Sequence, residues 1–293
     1  NRMRTEEQMM RLILDTAVED DRILAVYMNG SRTNPNVPRD IFQDYDIVYV
    51  VTETESFQAD QSWIDRFGER LFMQYPEDGF FGNGEKEKCY GWLIQFADGN
   101  RLDLHVNTVE YALQDICSDR LCRILLDKKN VLPQIPEATD EDHWVKRPGQ
   151  EEFEAVCNEF WWCLDNVAKG LWRREVPYVQ DMLNFHVRPQ LVCQLSWKAG
   201  AKENFQISVG KSGKYLYRWL KPEEWERFLA TYAGSGIEEL WDAVEIMCRL
   251  FDDTARENAR TLGMNYNREE ADNCQSYLHH VRSLPRDAAE IYP

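Results

Sequence analysis

Apolar positions in the first half of the chain change period several times. Met9, Leu12, Ile13 and Ala17 recur at helical spacing behind Thr5 and Gln8, a capping-box pair, which predicts a helix to about residue 19. Ile23 to Met28 and Ile47 to Val51 are short apolar runs of the kind found in buried strands. Trp63, Phe67 and Leu71, at i, i+4 and i+8, predict a helix over residues 60–74 that covers the sheet. Cys89 to Ala97 and Arg101 to Asn107 flank Asp98-Gly99-Asn100, and the Asp-Gly pair predicts a tight two-residue hairpin turn. From Leu132 the texture changes. Pro133, Pro136, the acidic patch Asp140-Glu141-Asp142 and Pro148-Gly149 mark a connection. Glu151–Arg174, Tyr178–Trp197, Glu223–Ala233, Ile237–Ala259 and Arg268–Arg282 then all read as helix. The pattern predicts an α/β fold in two domains: residues 1–148 with a mixed β-sheet flanked by helices, and residues 149–293 as a helical bundle.

Composition narrows the function. The 293 residues, 43% hydrophobic and 12% aromatic, suffice for the cores of one large or two ordinary domains. No apolar run approaches the length of a membrane span, and Asn1-Arg2-Met3-Arg4 leads into a polar helix rather than a signal-type segment. A formal charge of −17 argues against any protein that grips a phosphate backbone, so no nucleic-acid partner is expected. An acidic surface attracts a polycationic small substrate; it equally serves solubility alone. The eight cysteines show no C-x-x-C and no zinc-type Cys/His spacing, and read as reduced core thiols of a cytoplasmic protein.

Chemistry concentrates between Gly30 and Asp46. Gly30-Ser31-Arg32 follows the first strand, where a glycine backbone, its neighbouring N–H groups and a hydroxyl suit phosphate oxygens. Asp44 and Asp46, at i and i+2, point to one strand face and suit Mg²⁺, a hard cation commonly shared with substrate phosphates. Strand alternation sets Asp103 and His105 on one face of the later hairpin, so Asp103 is a candidate third acid. Taken singly, Gly-Ser is most often a turn and Asp-x-Asp a solvated edge. Glu77, Asp78, Glu85 and Glu87 lie in a Gly-rich stretch that reads as a surface loop or as a rim for a cationic substrate. In the second half, Gly210-Lys211-Ser212-Gly213-Lys214 lacks P-loop spacing. Asp181 reads either as an anchor for an amino or guanidino group or as an ordinary helix-start acid. Adjacent His279 and His280 give no metal signal.

Gly30-Ser31, twelve intervening residues, Asp44-x-Asp46 and a third acid on a later strand resemble the nucleotidyltransferase superfamily related to polymerase β. Gly-Ser-Arg-Thr-Asn, Asp-Tyr-Asp-Ile, Leu-Leu-Asp-Lys, Cys-Asn-Glu-Phe-Trp and Val-Arg-Pro resemble the aminoglycoside 6-adenylyltransferases, the streptomycin-modifying enzymes, over nearly the whole chain. That likeness implies a nucleotidyltransferase domain in the first half, with ATP as donor, Mg²⁺, AMP transfer to a drug hydroxyl and release of pyrophosphate. It implies that Gly30, Ser31 and Arg32 meet the nucleotide, that Asp44, Asp46 and Asp103 hold metal, and that Asp103 acts as general base. It also implies that lysines near Lys211 and Lys214 reach the triphosphate, of which Lys214 is the slightly better candidate. Pro35 and Pro38 depart from the superfamily habit of a helix straight after Gly-Ser. A nucleotidyltransferase for another small hydroxyl compound or a protein, and a nucleotide-binding module without turnover, remain open, as do monomer and homodimer.

Overall fold

The structure, a computed structural model, describes residues 2–292 and divides into two compact units, Asn1–Asp142 and His143–Pro293. In the first unit, α1 (Glu6–Glu19) starts at the expected capping box, with Thr5 and Gln8 satisfying each other's backbone N–H groups. It leads into β1 (Ile23–Asn29) and β2 (Tyr45–Val51), followed by the short α2 (Glu55–Ala59), β3 (Arg70–Gln74), β4 (Cys89–Phe96) and β5 (Arg101–Thr108). The helix α3 (Val109–Ser118) and β6 (Cys122–Asp127) complete it. The six strands form one mixed sheet ordered β3-β4-β5-β2-β1-β6, with β2 and β5 parallel and the other neighbours antiparallel.

Strand alternation gives this sheet two unlike faces. Ile47, Tyr49 and Val51 of β2 with Leu102, Leu104 and Val106 of β5 pack beneath Met9, Ile13 and Ala17 of α1. The Tyr49 hydroxyl donates to the Ile13 carbonyl at 2.6 Å, which ties the helix to the sheet's centre. On the opposite face Tyr27, Val48 and Val50 pack against Ala112 and Ile116 of α3. That helix covers only part of its face, and the polar residues of β2 and β5 occupy the remainder.

Residues 60–74 do not form the expected helix. Ser62–Phe67 is a 3₁₀ turn, which Gly68 ends at φ +124°, and the chain continues as edge strand β3 against β4. The helical spacing did pick out core rings, since Trp63 packs edge-on against Phe67 and Trp92 at 6.1 and 5.1 Å. Leu71, beyond the glycine, is exposed. The hairpin is where alternation places it, but its connection runs Ala97–Asn100, four residues closed by the Phe96 N–H donating to the Asn100 carbonyl.

Asp98 in that connection joins the chain's beginning to the sheet. Its Oδ2 accepts from the Arg4 backbone and Nε at 3.0 and 2.7 Å, and from Asn100 Nδ2 at 3.0 Å. Burial alone would raise its pKa, but these bonds outweigh it and hold the carboxyl well below the usual range. Because the folded pKa is depressed, the stabilisation is present above the unfolded carboxylate's pKa of about 4 and is lost as pH falls through the folded value. Asp98→Ala is expected to cost about 1.5–3 kcal/mol in urea unfolding at pH 7. The difference from wild type should shrink below about pH 4; a gap that persists undiminished into acid would contradict this account.

The second unit is helical: α4 (Gln150–Arg173), α5 (Val176–Met182), α6 (Arg188–Lys202), α7 (Pro222–Leu229), α8 (Ile237–Leu262) and α9 (Arg268–Ser283). Phe160 of α4 stacks on Phe251 of α8 with ring centroids 3.8 Å apart. A π turn, Leu183–Val187, precedes Arg188-Pro189. Pro189 has no N–H for the carbonyl four residues back, and the wider turn absorbs that gap. Among the described residues no helix is long and apolar enough to cross a membrane. All eight cysteines are free. The reading of them as core thiols fails at Cys117, which is exposed, and holds only in part for the half-buried Cys193 and Cys274.

Candidate active site

Gly30 leaves β1 at φ +80°, ψ −161°, a combination essentially confined to glycine. A Cβ there would lie 2.1 Å from Asp46 Oδ2, so the turn and the acid are in direct apposition. Ser31–Thr33 continue as a single 3₁₀ turn, with the Thr33 N–H and hydroxyl both donating to the Gly30 carbonyl. The connection through Pro35 and Pro38 carries no α-helix, in keeping with proline's exclusion from helix interiors.

Asp46 faces Asn29 across β1 and Asp103 across the parallel β5. Asp44 stands just ahead of β2, and one carboxylate oxygen from each of Asp44, Asp46 and Asp103 lies within 4.8 Å of the other two. Three hard oxygen donors converging from two neighbouring strands fit a cation such as Mg²⁺. Burial pushes the Asp46 carboxyl up to about 7, the Asp44 and Asp103 carboxylates add to that, and Arg101 and His105 oppose it. Concentrated negative charge of this kind is relieved by a bound cation. Arg101 grips Asp103 with both oxygens, Nε to Oδ1 and Nη2 to Oδ2 at 2.8 Å each, and approaches Asp44 at 3.6 Å.

Arg32, expected at the nucleotide, is engaged at the entry to β2. Its Nε and Nη2 donate to the Asp44 and Gln43 carbonyls at 3.0 Å, and its guanidinium stacks 3.8 Å from the Tyr45 ring centroid. It thereby holds the strand entry that carries the two acids. Asp181 is an exposed residue of α5, within the helix rather than at its start. Lys211 and Lys214 are exposed around Gly213, which turns at φ +74°, and Lys214 Nζ lies 5.1 Å from the Tyr215 ring centroid. These three belong to the second unit.

The acidic loop before β4 is not a uniform rim. Glu77 is buried, its Oε2 accepting from the Gly91 N–H at 2.8 Å and its Oε1 standing 3.3 Å from His105 Nε2. Burial alone would raise the Glu77 pKa, but the His105 contact and the Gly91 N–H bring it below the usual value. His105 crosses Gly91, where a Cβ would sit 2.4 Å from the imidazole, and Cys89 completes a second group of possible ligands with Glu77 and His105. Asp78 accepts from the Tyr90 hydroxyl and pairs with Lys86, while Glu85 and Glu87 remain exposed. Asn107 and Asp115, close to the triad but not singled out as site residues in the sequence, line a recess of about 250 Å³ beside it. Period-2 alternation already implied Asn107; nothing local marked Asp115, which arrives on α3.

Comparison with known proteins shows the family to which this sequence is similar. Residues 3–281 match the family described as streptomycin adenylyltransferase. An aminoglycoside 6-adenylyltransferase from Bacillus subtilis (strain 168) is 38% identical over 265 residues, 90% of this chain and 93% of that protein. One of the same name from Campylobacter jejuni is 38% identical over 264 residues, 90% and 91% of the two chains. The crystal structure of an aminoglycoside 6-adenyltransferase from Bacillus subtilis is 32% identical in sequence, covers 96% of this chain and 100% of that chain, and superposes with a TM-score of 0.48.

Proposed function

Since the chain belongs to the streptomycin adenylyltransferase family, whose enzymes are nucleotidyltransferases, we propose that it transfers AMP from ATP to a hydroxyl of a streptomycin-like aminoglycoside, releasing pyrophosphate and conferring resistance. The observation that carries this reading is the parallel pairing that sets Asp46 beside Asp103 next to the Gly30 turn. Gly30 and Ser31 receive phosphate oxygens through the backbone and hydroxyl, since no Cβ obstructs the approach. Mg²⁺ held by Asp44, Asp46 and Asp103 would supply charge neutralisation at the phosphates.

The drug hydroxyl is a weak nucleophile at neutral pH, so its proton must leave as its oxygen attacks the α-phosphorus. Asp103 takes that proton, the new P–O bond forms, and the bond to the β-phosphate oxygen breaks. Arg101, bound to both Asp103 oxygens, orients the carboxylate. In the second unit Lys214 with Lys211 is assigned to the triphosphate and Asp181 to a cationic group of the drug, in keeping with their exposed positions. The relatives' names and the acidic charge of the whole chain support a polycationic acceptor.

The test is pyrophosphate release from ATP and Mg²⁺ with streptomycin, beside kanamycin, spectinomycin and a control without drug. Release with streptomycin alone is expected. ATP binding with no release for any drug would sink the proposal, and release with a different drug only would keep the reaction and change the acceptor.

A further inference from the structure

Beside the three acids, the sheet face that α3 leaves open contains a recess of about 250 Å³ whose walls include Asn29, Asp46, Asp103, His105, Asn107 and Asp115. Among them, Asn107 and Asp115 retain acceptor capacity away from the three acids. Asn107 is 2% exposed; its Nδ2 donates to the Tyr27 hydroxyl at 3.2 Å, and its Oδ1 has no hydrogen-bond partner. A buried carbonyl oxygen left unpaired is costly and is seldom kept without a role. Asp115 Oδ2 accepts from the Tyr27 hydroxyl at 2.6 Å and from Asn29 Nδ2 at 3.4 Å. Both partners are neutral, so its charge is solvated by dipoles rather than matched by a cation.

We propose that this recess takes an amino or guanidino substituent of the acceptor drug, with Asp115 as its charge partner and Asn107 Oδ1 as a neutral acceptor. The inference rests on the aminoglycoside reading above and extends it to particular residues. The ligand chemistry follows from the walls. Acceptors on two different elements, a strand and a helix, suit a group with several N–H donors fanned in a plane or about one nitrogen. A phosphate would meet carboxylates on two sides, and a bare metal ion would leave most of the volume unfilled. Asp103 borders the same recess, so a cation seated there brings a neighbouring hydroxyl of the same molecule toward the base, which is positioning of the kind that converts binding into rate.

The test uses the full chain and steady-state pyrophosphate release, with streptomycin and ATP each varied. Asp115→Asn keeps an acceptor for Tyr27 while removing the charge. It should raise KM for streptomycin about tenfold or more, as expected for loss of a charge-assisted bond, with a smaller change in kcat and no change in KM for ATP. Asn107→Ser, which shortens the acceptor, should raise the same KM by about threefold, on the order of a weak neutral hydrogen bond. An unchanged drug KM in both variants overturns the inference, as does a rise in KM for ATP in place of the drug's. Should Asp115→Asn fail to fold, Asn107→Ser decides alone. Wild-type protein inactive with every drug would instead be the failure of the underlying functional reading.

Discussion

Asp103→Asn is expected to lower drug-dependent pyrophosphate release by about 10²–10⁴-fold, the range that a positioned base contributes. Asparagine matches the carboxylate in shape but accepts no proton. The backbone at this position is fixed on both sides, since β5 pairs with β2 through Asp46 and with β4 through Leu93. The lost interactions are those from Arg101, itself about half exposed, so the variant should melt within a few degrees of wild type. A rate deficit at unchanged stability identifies chemistry rather than folding. The deficit should persist when Mg²⁺ is raised well above saturation; recovery there would make Asp103 a metal ligand without the role of base, and full activity without added metal would end its assignment to the reaction.

Gly30→Ala is expected to be the second severe lesion, with kcat/KM reduced by about 10²-fold, as a displacement on the ångström scale at a reacting site can do. Two effects coincide at this residue. The backbone conformation is one that side-chain-bearing residues avoid, at a cost of about 1–3 kcal/mol, and the added methyl would overlap Asp46 Oδ2. Relief of that overlap must move either the phosphate turn or the metal-facing acid. Circular dichroism should retain the folded signal while urea unfolding reports the strain. An alanine variant with wild-type kcat/KM would mean that neither the turn nor Asp46 needs its observed place.

The comparison of sequence with structure separates two kinds of information. A short apolar run located β2, while turn chemistry and the period two that one buried sheet face imposes located β4 and β5, and these together placed Asp46 and Asp103. Helical spacing, by contrast, misled for residues 60–74, where Gly68 broke the pattern that Trp63 and Phe67 had begun. Glu77 read as surface because its burial depends on His105 and Gly91, both remote in the chain. Several of the blocks that carry the family likeness serve architecture. Lys128 Nζ donates to the Ala17 and Asp20 carbonyls at the end of α1. Buried Arg188 donates to the Thr231 carbonyl and hydroxyl. Residues of that sort are legible as a pattern, yet their roles emerge only when the partners are seen.

The pairing of β2 with β5 also bears on how the protein matures. The β4–β5 hairpin closes through a connection of four residues and can zip from its own turn, whereas β2 must find β5 across the intervening α2, β3 and β4. Contacts between segments distant in the chain carry the larger loop-closure cost and form slowly. Asp46 and Asp103 therefore meet only after the distant strands dock, and a refolding chain acquires ordered hairpins before it acquires a reaction centre. Recovery of turnover should lag behind recovery of strand signal, and intermediates trapped along that route would be structured but inert.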